Sequence, residues 1–241
     1  MEKVRPQTLR ADRVRRTFDR HASEFDRWFT RNRKLYLSEL RALRAAGPTG
    51  LSLDVGVGSG VFASKLNLSV GVDTSRELLK ISKRRGLEVI LAEARMLPFR
   101  TGAFDAVVSS FTICFVDDAR SVLVESRRAL KYNGRLILGE ITLDSTWGRL
   151  YSRKGRMGHR FYGKARFLTF RRTQSLLRGA GLDVEKILGT IDFGPRDKPT
   201  VQDPIELSTR DLKDTDRYGF LCFVASPAKS QTPNSGASSR R

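Results

Sequence analysis

The 241-residue sequence predicts an α/β protein: a mainly parallel sheet with helices on both faces. Two observations carry this expectation. Short apolar, β-branched runs alternate with amphipathic segments from about residue 50 to 140, the pattern of strands joined by helical crossovers. The first of these runs, ending LDVGV, passes directly into the turn Gly56-Val57-Gly58-Ser59-Gly60 and then, after a short helix, into a second run, SVGVD, that ends on Asp73. A strand, a glycine-rich turn, a helix and a strand closed by a carboxylate is how such a sheet holds a nucleoside. The glycines let backbone N–H groups approach the ligand, and the acid accepts hydrogen bonds from ribose hydroxyls.

Taken in order, residues 7–29 place Leu9, Val14, Phe18, Phe25, Trp28 and Phe29 at mostly helical spacing among charged residues. A second helical segment over about 31–46 stops at Gly47-Pro48. Strand one spans about 50–55, a short helix follows Gly60, and strand two ends at Asp73. Thr74 or Ser75 can cap a helix reaching about Arg85. LEVILAE and FDAVVSS are strands three and four. Asp117 and Asp118 open a helix to about Lys131, acids at its positive end. A turn at Asn133-Gly134 precedes strand five, RLILGEI. Residues 145–182 then hold no Asp or Glu, but many arginines interleaved with aromatics. A strand near 182–193, a polar loop and a last strand, YGFLCFVA, follow. The Ser-rich end reads as a disordered tail. The expected organisation is a helical unit over 1–48, a binding domain over 49–226 that includes the basic segment 145–182, and a tail over 227–241.

The net charge of +19, from 45 Lys+Arg against 26 Asp+Glu, favours anionic partners: nucleic acid, acidic metabolites or a membrane surface. A solvated basic face accounts for it equally well. No apolar run approaches the roughly 18 residues that span a membrane. The N-terminus has no apolar signal core, so a cytoplasmic protein is expected. Cys114 and Cys222 lie in apolar segments and read as buried, reduced thiols. With two histidines and no Cys/His cluster at ligand spacing, no metal site is expected.

The glycine spacing separates possible ligands. A dinucleotide fingerprint needs Gly or Ala at its third position, which here falls on Val61, while Gly60 comes one place early. No Gly-Lys-Ser/Thr follows, so the phosphate loop of nucleotide triphosphatases is absent.

With these elements laid out, the chain resembles the class I S-adenosylmethionine (SAM)-dependent methyltransferases, most closely the ubiquinone/menaquinone-type group. LDVGVGSG, GVDTS, AEARMLPFRTGAFDAVVSS and RRALKYNGRLILGE carry the resemblance, over roughly residues 18 to 192. CFVDD after strand four and FYGKARF, Phe161 to Phe167, are similar to a smaller subset of that group. The resemblance implies a Rossmann-like, doubly wound, mainly parallel seven-stranded sheet with an antiparallel last strand, N-terminal helices folded over the cofactor as a lid, and SAM as cofactor. By position, Asp54, Gly56, Gly58 and Gly60 would lie beside the methionine part of SAM, Asp73 would hold the ribose and Thr74 would lie beside the adenine. Glu93 and Ala94 would reach the adenine amino group, and Ser110 and Phe111 would wall the methyl-donor side. Glu93 also reads as a solvated loop acid, and Phe111 as ordinary core.

Methyl transfer from a sulfonium is an in-line displacement, in which alignment and water exclusion dominate. A hydroxyl or a protonated amine also needs a base. Related enzymes often carry paired histidines after strand four; Cys114 and Phe115 stand there instead, which excludes a histidine base at that place. The remaining candidates are His21, Asp26, His159 and Tyr162, with His21 reading better as a surface helix residue. Trp28, Cys114, Arg160 and Arg166 are substrate-side candidates, Trp28 as lid packing. An arginine such as Arg153, Arg160 or Arg166 suits an anionic acceptor. The same segment suits an RNA surface, with bases stacked on Tyr151 or Tyr162, or a plain solvated helix pair. No Asn-Pro-Pro-Tyr-like motif follows strand four. The sequence therefore favours a small-molecule acceptor over RNA, and over a non-catalytic SAM- or nucleic-acid-binding protein.

Overall fold

The computed structural model describes residues 6–208 and 215–228; most of the expected tail, from residue 229 on, lies outside the described residues. Three helices come first: α1 (Pro6–Arg20), α2 (Ala22–Arg31) and α3 (Arg33–Ala45). The alternating half follows as β1 (Ser52–Val55), α4 (Ala63–Leu66), β2 (Val70–Asp73), α5 (Arg76–Arg84), β3 (Val89–Leu91), β4 (Phe104–Ser110), α6 (Ala119–Ala129) and β5 (Leu130–Glu140). Then come α7 (Thr146–Arg156), α8 (Phe170–Gly179), β6 (Leu182–Thr190), β7 (Ile205–Leu207) and β8 (Phe220–Pro227).

One sheet runs in the order β3-β2-β1-β4-β5-β8-β6-β7. Its first five strands are parallel, and β8 lies antiparallel between β5 and β6. The expected seven strands become eight, because Ile205–Leu207 of the polar loop pairs with the free edge of β6. Strand three shortens to three residues at the opposite edge, where only β2 pairs with it. The expected turn at Asn133-Gly134 is instead part of β5, whose register against β4 shifts between Phe104 and Ala106. A Cβ on Gly134 would meet the Phe104 and Asp105 carbonyl oxygens at 3.0 and 3.1 Å, so glycine lets the two backbones pass.

Strand periodicity sorts the core into two layers. Leu136 and Leu138 of β5 face α6 and α8 through Val122, Leu123 and Leu177. Ile137 faces the other way, with Phe220 and Cys222, under Leu40 and Leu43 of α3. A third cluster, Val14, Phe18, Ala22, Leu78, Ile81 and Phe161, fastens α1 onto α5. Of the two possible caps of α5, Ser75 is the one whose side chain accepts from the Leu78 N–H, and Asp118 caps α6 in the same way. No helix among the described residues is long and apolar enough to cross a membrane.

Candidate functional site

The C-terminal ends of β1, β2 and β4 open into a cavity of about 370 Å³, within the range of small-molecule sites. Its floor is the glycine turn. Gly56 has φ +81°, and a Cβ there would strike the Thr112 side chain, which itself donates to the Val55 carbonyl at 3.1 Å. Gly58 has φ +54°, and a Cβ there would make only ordinary contacts, with Phe25 at 3.6 Å and Leu78 at 4.0 Å, both of which border the cavity. Its N–H donates to Asp73 Oδ2 at 2.9 Å, and the Ser75 N–H donates to Oδ1 at 2.8 Å. Burial pushes the Asp73 carboxyl up, opposed by these backbone donors. A carboxylate has about four acceptor sites; two are used by these bonds, leaving capacity for a pair of hydroxyls.

Gly60 serves a different purpose. A Cβ at Gly60 would strike Leu87 and reach Ser82 Oγ at 2.8 Å, so this glycine packs the turn against α5 rather than bordering the cavity. Asp54 is also outside the lining; it is buried in β1, where burial and then the Asp73 charge push its carboxyl up to about 7. Thr74, Glu93, Ala94, Ser110 and Phe111 all border the cavity. Glu93 is exposed and paired with Arg95 at 2.8 Å. Phe111 holds φ +58° between the rings of Phe62 and Phe220. Ser59 Oγ and Ser110 Oγ are buried at the cavity without hydrogen-bond partners among the described residues. These two orphan hydroxyls, a carboxylate with spare capacity and apolar walls from Leu78, Ala92 and Val116 fit a nucleoside with a polar tail.

The roof of the cavity is helical. α1 and α2 contribute Asp12, Val14, Arg15, Phe18, Phe25 and Phe29 to the lining. Arg10 ties α1 down, donating to Asp117 at 2.8 Å and to the Phe115 and Lys164 carbonyls at 3.1 and 2.7 Å. Asp19 accepts from Ser75 Oγ at 2.7 Å. Arg85 joins the Ser59 carbonyl to Asp26. Helical spacing marked the apolar face of these helices, but no local pattern reveals pairs separated by more than fifty residues.

The expected substrate-side residues do not assemble together. His21 lies in a charged surface groove with Glu24 and Lys80, its Nδ1 3.1 Å from Arg160. Arg160 is exposed and bound to Glu24 at 2.6 Å; Arg166 is exposed and 3.7 Å from Asp117. Neither borders the cavity. Cys114 is buried, its Sγ donating to the Phe111 carbonyl, and burial holds its thiol well above the ordinary range. His159 and Tyr162 stack at 4.3 Å, and Tyr162 stacks on Tyr151 at 4.3 Å. Burial pushes the Tyr162 hydroxyl up to about 12, which is unsuited to a base near neutrality. Trp28 is one ring from the cavity, packed on Phe29 at 5.3 Å.

Residues 53–138 match a family model described as a methyltransferase domain. A SAM-dependent methyltransferase from Thermotoga maritima, described as a possible histamine N-methyltransferase, superposes with a TM-score of 0.81 at 32% identity, covering 89% of this chain and 99% of that one. An uncharacterised protein of Methanocaldococcus jannaschii is 37% identical over 174 residues, 72% of this chain and 84% of that protein. The demethylmenaquinone methyltransferase of Thermotoga maritima is 35% identical over 111 residues, 42% of this chain and 48% of that enzyme. This chain belongs to the S-adenosylmethionine-dependent methyltransferases.

Proposed function

We propose that the chain binds SAM along the Gly56–Gly58 turn and Asp73 and delivers its methyl group to a small-molecule acceptor on the Phe111 side of the cleft. The observation that carries this reading is convergence: the turn, Asp73, Thr74, Ala94, Ser110 and Phe111 come from separate strand ends and border one cavity. Asp73 holds the ribose hydroxyls, Thr74, Glu93 and Ala94 flank the adenine, and the backbone of the turn receives the amino-acid tail. The sulfonium supplies a good electrophile. The protein's part is alignment and exclusion of water by Phe18, Phe25 and Phe29, so α1 and α2 act as a lid. A small acceptor suits a cleft roofed in this way, and two of the similar proteins are named for small acceptors, histamine and demethylmenaquinone. We place the reaction in the cytoplasm, where the two buried free thiols stay reduced.

Calorimetry with SAM and with S-adenosylhomocysteine tests the donor: both bind, and silence from both would overturn the reading. Radiolabelled SAM added to a cell extract tests the acceptor. Label is expected in a fraction resistant to nuclease and protease. Label lost to nuclease would move the reading to RNA.

A further inference from the structure

Two acids precede α6, and its cap uses one of them. Asp118 accepts from the Ser121 N–H at 3.0 Å and from Ser121 Oγ at 2.6 Å. Asp117 is left for another purpose. Its side chain is 8% exposed and borders the cavity. The two cations near it, Arg10 at 2.8 Å and Arg166 at 3.7 Å, both approach Oδ1. Oδ2 is buried without a hydrogen-bond partner among the described residues. The other acids that border the cavity are engaged or exposed. Asp12 is held by Arg15 and Arg16, Asp73 by the Gly58 and Ser75 N–H groups, and Glu93 stands 52% exposed against Arg95. A buried carboxylate oxygen without a partner is costly, and a donor on a bound ligand removes that cost.

The chain beyond β3 fixes which end of the cavity Asp117 occupies. That segment descends alongside α6 on its way to β4. The Leu97 N–H donates to Glu125 at 2.8 Å. Arg128, one turn on, donates to the Leu97 and Phe99 carbonyls at 3.2 and 2.9 Å and to Thr101 at 3.3 Å. Later residues of the segment therefore meet later residues of the helix. Followed back towards β3, the segment rises to the start of α6 and ends in a tight turn, with the Met96 N–H donating to the Glu93 carbonyl at 3.0 Å. There Glu93, Ala94 and Arg95 border the cavity, as do Val116 and Asp117 from the other side. Ala94 and Val116 pack on the same core layer and offer apolar faces to a flat ring. α1 closes over this end, with Asp12 and Arg15 in the lining and Arg10 anchored on Asp117.

We propose that Asp117 Oδ2 accepts a hydrogen bond from the 6-amino group of the cofactor's adenine, and that this contact, rather than one from Glu93, selects adenine over purines without that group. The proposal rests on the SAM reading above, which puts the adenine beside Thr74 and Ala94. An amino group brings N–H donors and no competing charge, which suits an oxygen whose carboxylate is already paired with Arg10. The one carboxylate then serves two partners. Oδ1 holds Arg10 of α1 and Oδ2 holds the base, so the residue that positions the adenine also positions the helix above it. A purine with hydrogen at position 6 leaves Oδ2 buried and unpaired, and a site built to bond a polar group rejects a ligand that lacks it.

The test is calorimetry of S-adenosylhomocysteine against its analogue with hydrogen in place of the 6-amino group. The unaltered protein is expected to bind S-adenosylhomocysteine about 10- to 100-fold more tightly than the analogue. Asp117→Asn keeps an amide oxygen for Arg10 and puts an N–H donor where Oδ2 stood. It is expected to bring S-adenosylhomocysteine down to the affinity of the analogue, whose own affinity does not change. A purely structural role for Asp117 would weaken both ligands alike and leave their ratio intact. Should Asp117→Asn fail to fold, Glu93→Gln decides: a preference kept there supports Asp117, and one lost there assigns the amino group to Glu93. Equal affinities in the unaltered protein, or a preference that survives Asp117→Asn, would overturn the proposal alone. Silence from both ligands overturns the SAM reading, and this proposal with it.

Discussion

Gly56 and Gly58 are two residues apart in one turn, and both have positive φ. A methyl group would have different effects at the two positions. At Gly56 it strikes Thr112, so Gly56→Ala combines backbone strain with a steric clash and is expected to cost about 3 kcal/mol or more in chemical denaturation. At Gly58 it makes only ordinary contacts, with Phe25 at 3.6 Å and Leu78 at 4.0 Å, so Gly58→Ala is expected to cost only about 1 kcal/mol of stability, from its backbone conformation. Its methyl occupies the cleft, so affinity for S-adenosylhomocysteine should fall more than stability does. Equal losses in both variants would show that the turn serves stability alone. Asp73→Ala removes hydrogen bonds to a charged acceptor and is expected to weaken S-adenosylhomocysteine binding by roughly 10- to 100-fold in calorimetry. Unchanged affinity would remove Asp73 from the ribose site. At this scale the sequence was legible because the turn and its acid are local: strand, glycines and Asp73 lie within about twenty residues. The family resemblance places Gly60 in the ligand site by position. What decides its place is Leu87, across a helix that the turn itself does not specify.

Among the elements, α1 and β5 show where local patterns lose force. The apolar spacing of α1 predicts a helix with one buried face and says nothing of what that face covers. Its position is set by Arg10, which reaches Asp117 and the Phe115 and Lys164 carbonyls, 105 to 154 residues away. Arg10→Ala is expected to loosen α1 and raise amide exchange along it, with S-adenosylhomocysteine restoring protection. Exchange unaltered by the substitution would place the anchor in the Val14 and Phe18 packing instead. At the end of β5, Glu140 is 1% exposed and its Oε1 has no partner among the described residues. Burial pushes its carboxyl up to about 8, from an ordinary 4.5 in the unfolded chain. Between those values the unfolded chain gives up a proton that the folded chain keeps, so unfolding becomes easier as pH rises. Denaturation midpoints are expected to fall from pH 5 to pH 8, and to fall less in Glu140→Gln. The slope does not vanish in that variant, because Glu39 acts in the same sense. An identical fall in both proteins would mean that Glu140 is already ionised in the fold.

In the whole molecule, the sheet side of the cavity and its helical side differ in how much the sequence discloses. The sheet side comes from successive strand ends of a parallel sheet, so its residues follow one another in the chain at a readable spacing. The helical side comes from α1 and α2, whose contacts with the sheet join residues far apart in the chain, and the buried Glu39 of α3 lies within an ordinary amphipathic helix, where it looks no different from a solvated acid. The basic segment 145–182, the most distinctive stretch of sequence, instead supplies exposed arginines on the outside and Tyr151 and Tyr162 to the interior. Because the cavity lies between the helical roof and the sheet, a ligand there should bind the two together. S-adenosylhomocysteine at 100 times its dissociation constant should add about 2.7 kcal/mol of stability. For a chain of this size that corresponds to a rise in melting temperature of about 5–10 °C. Exchange protection should then appear on both sides of the cavity, in α1 and α2 above and at residues 56–60 and 110–117 below. Protection confined to the sheet side would show that the N-terminal helices do not close on the cofactor, and water exclusion would have to come from the acceptor itself.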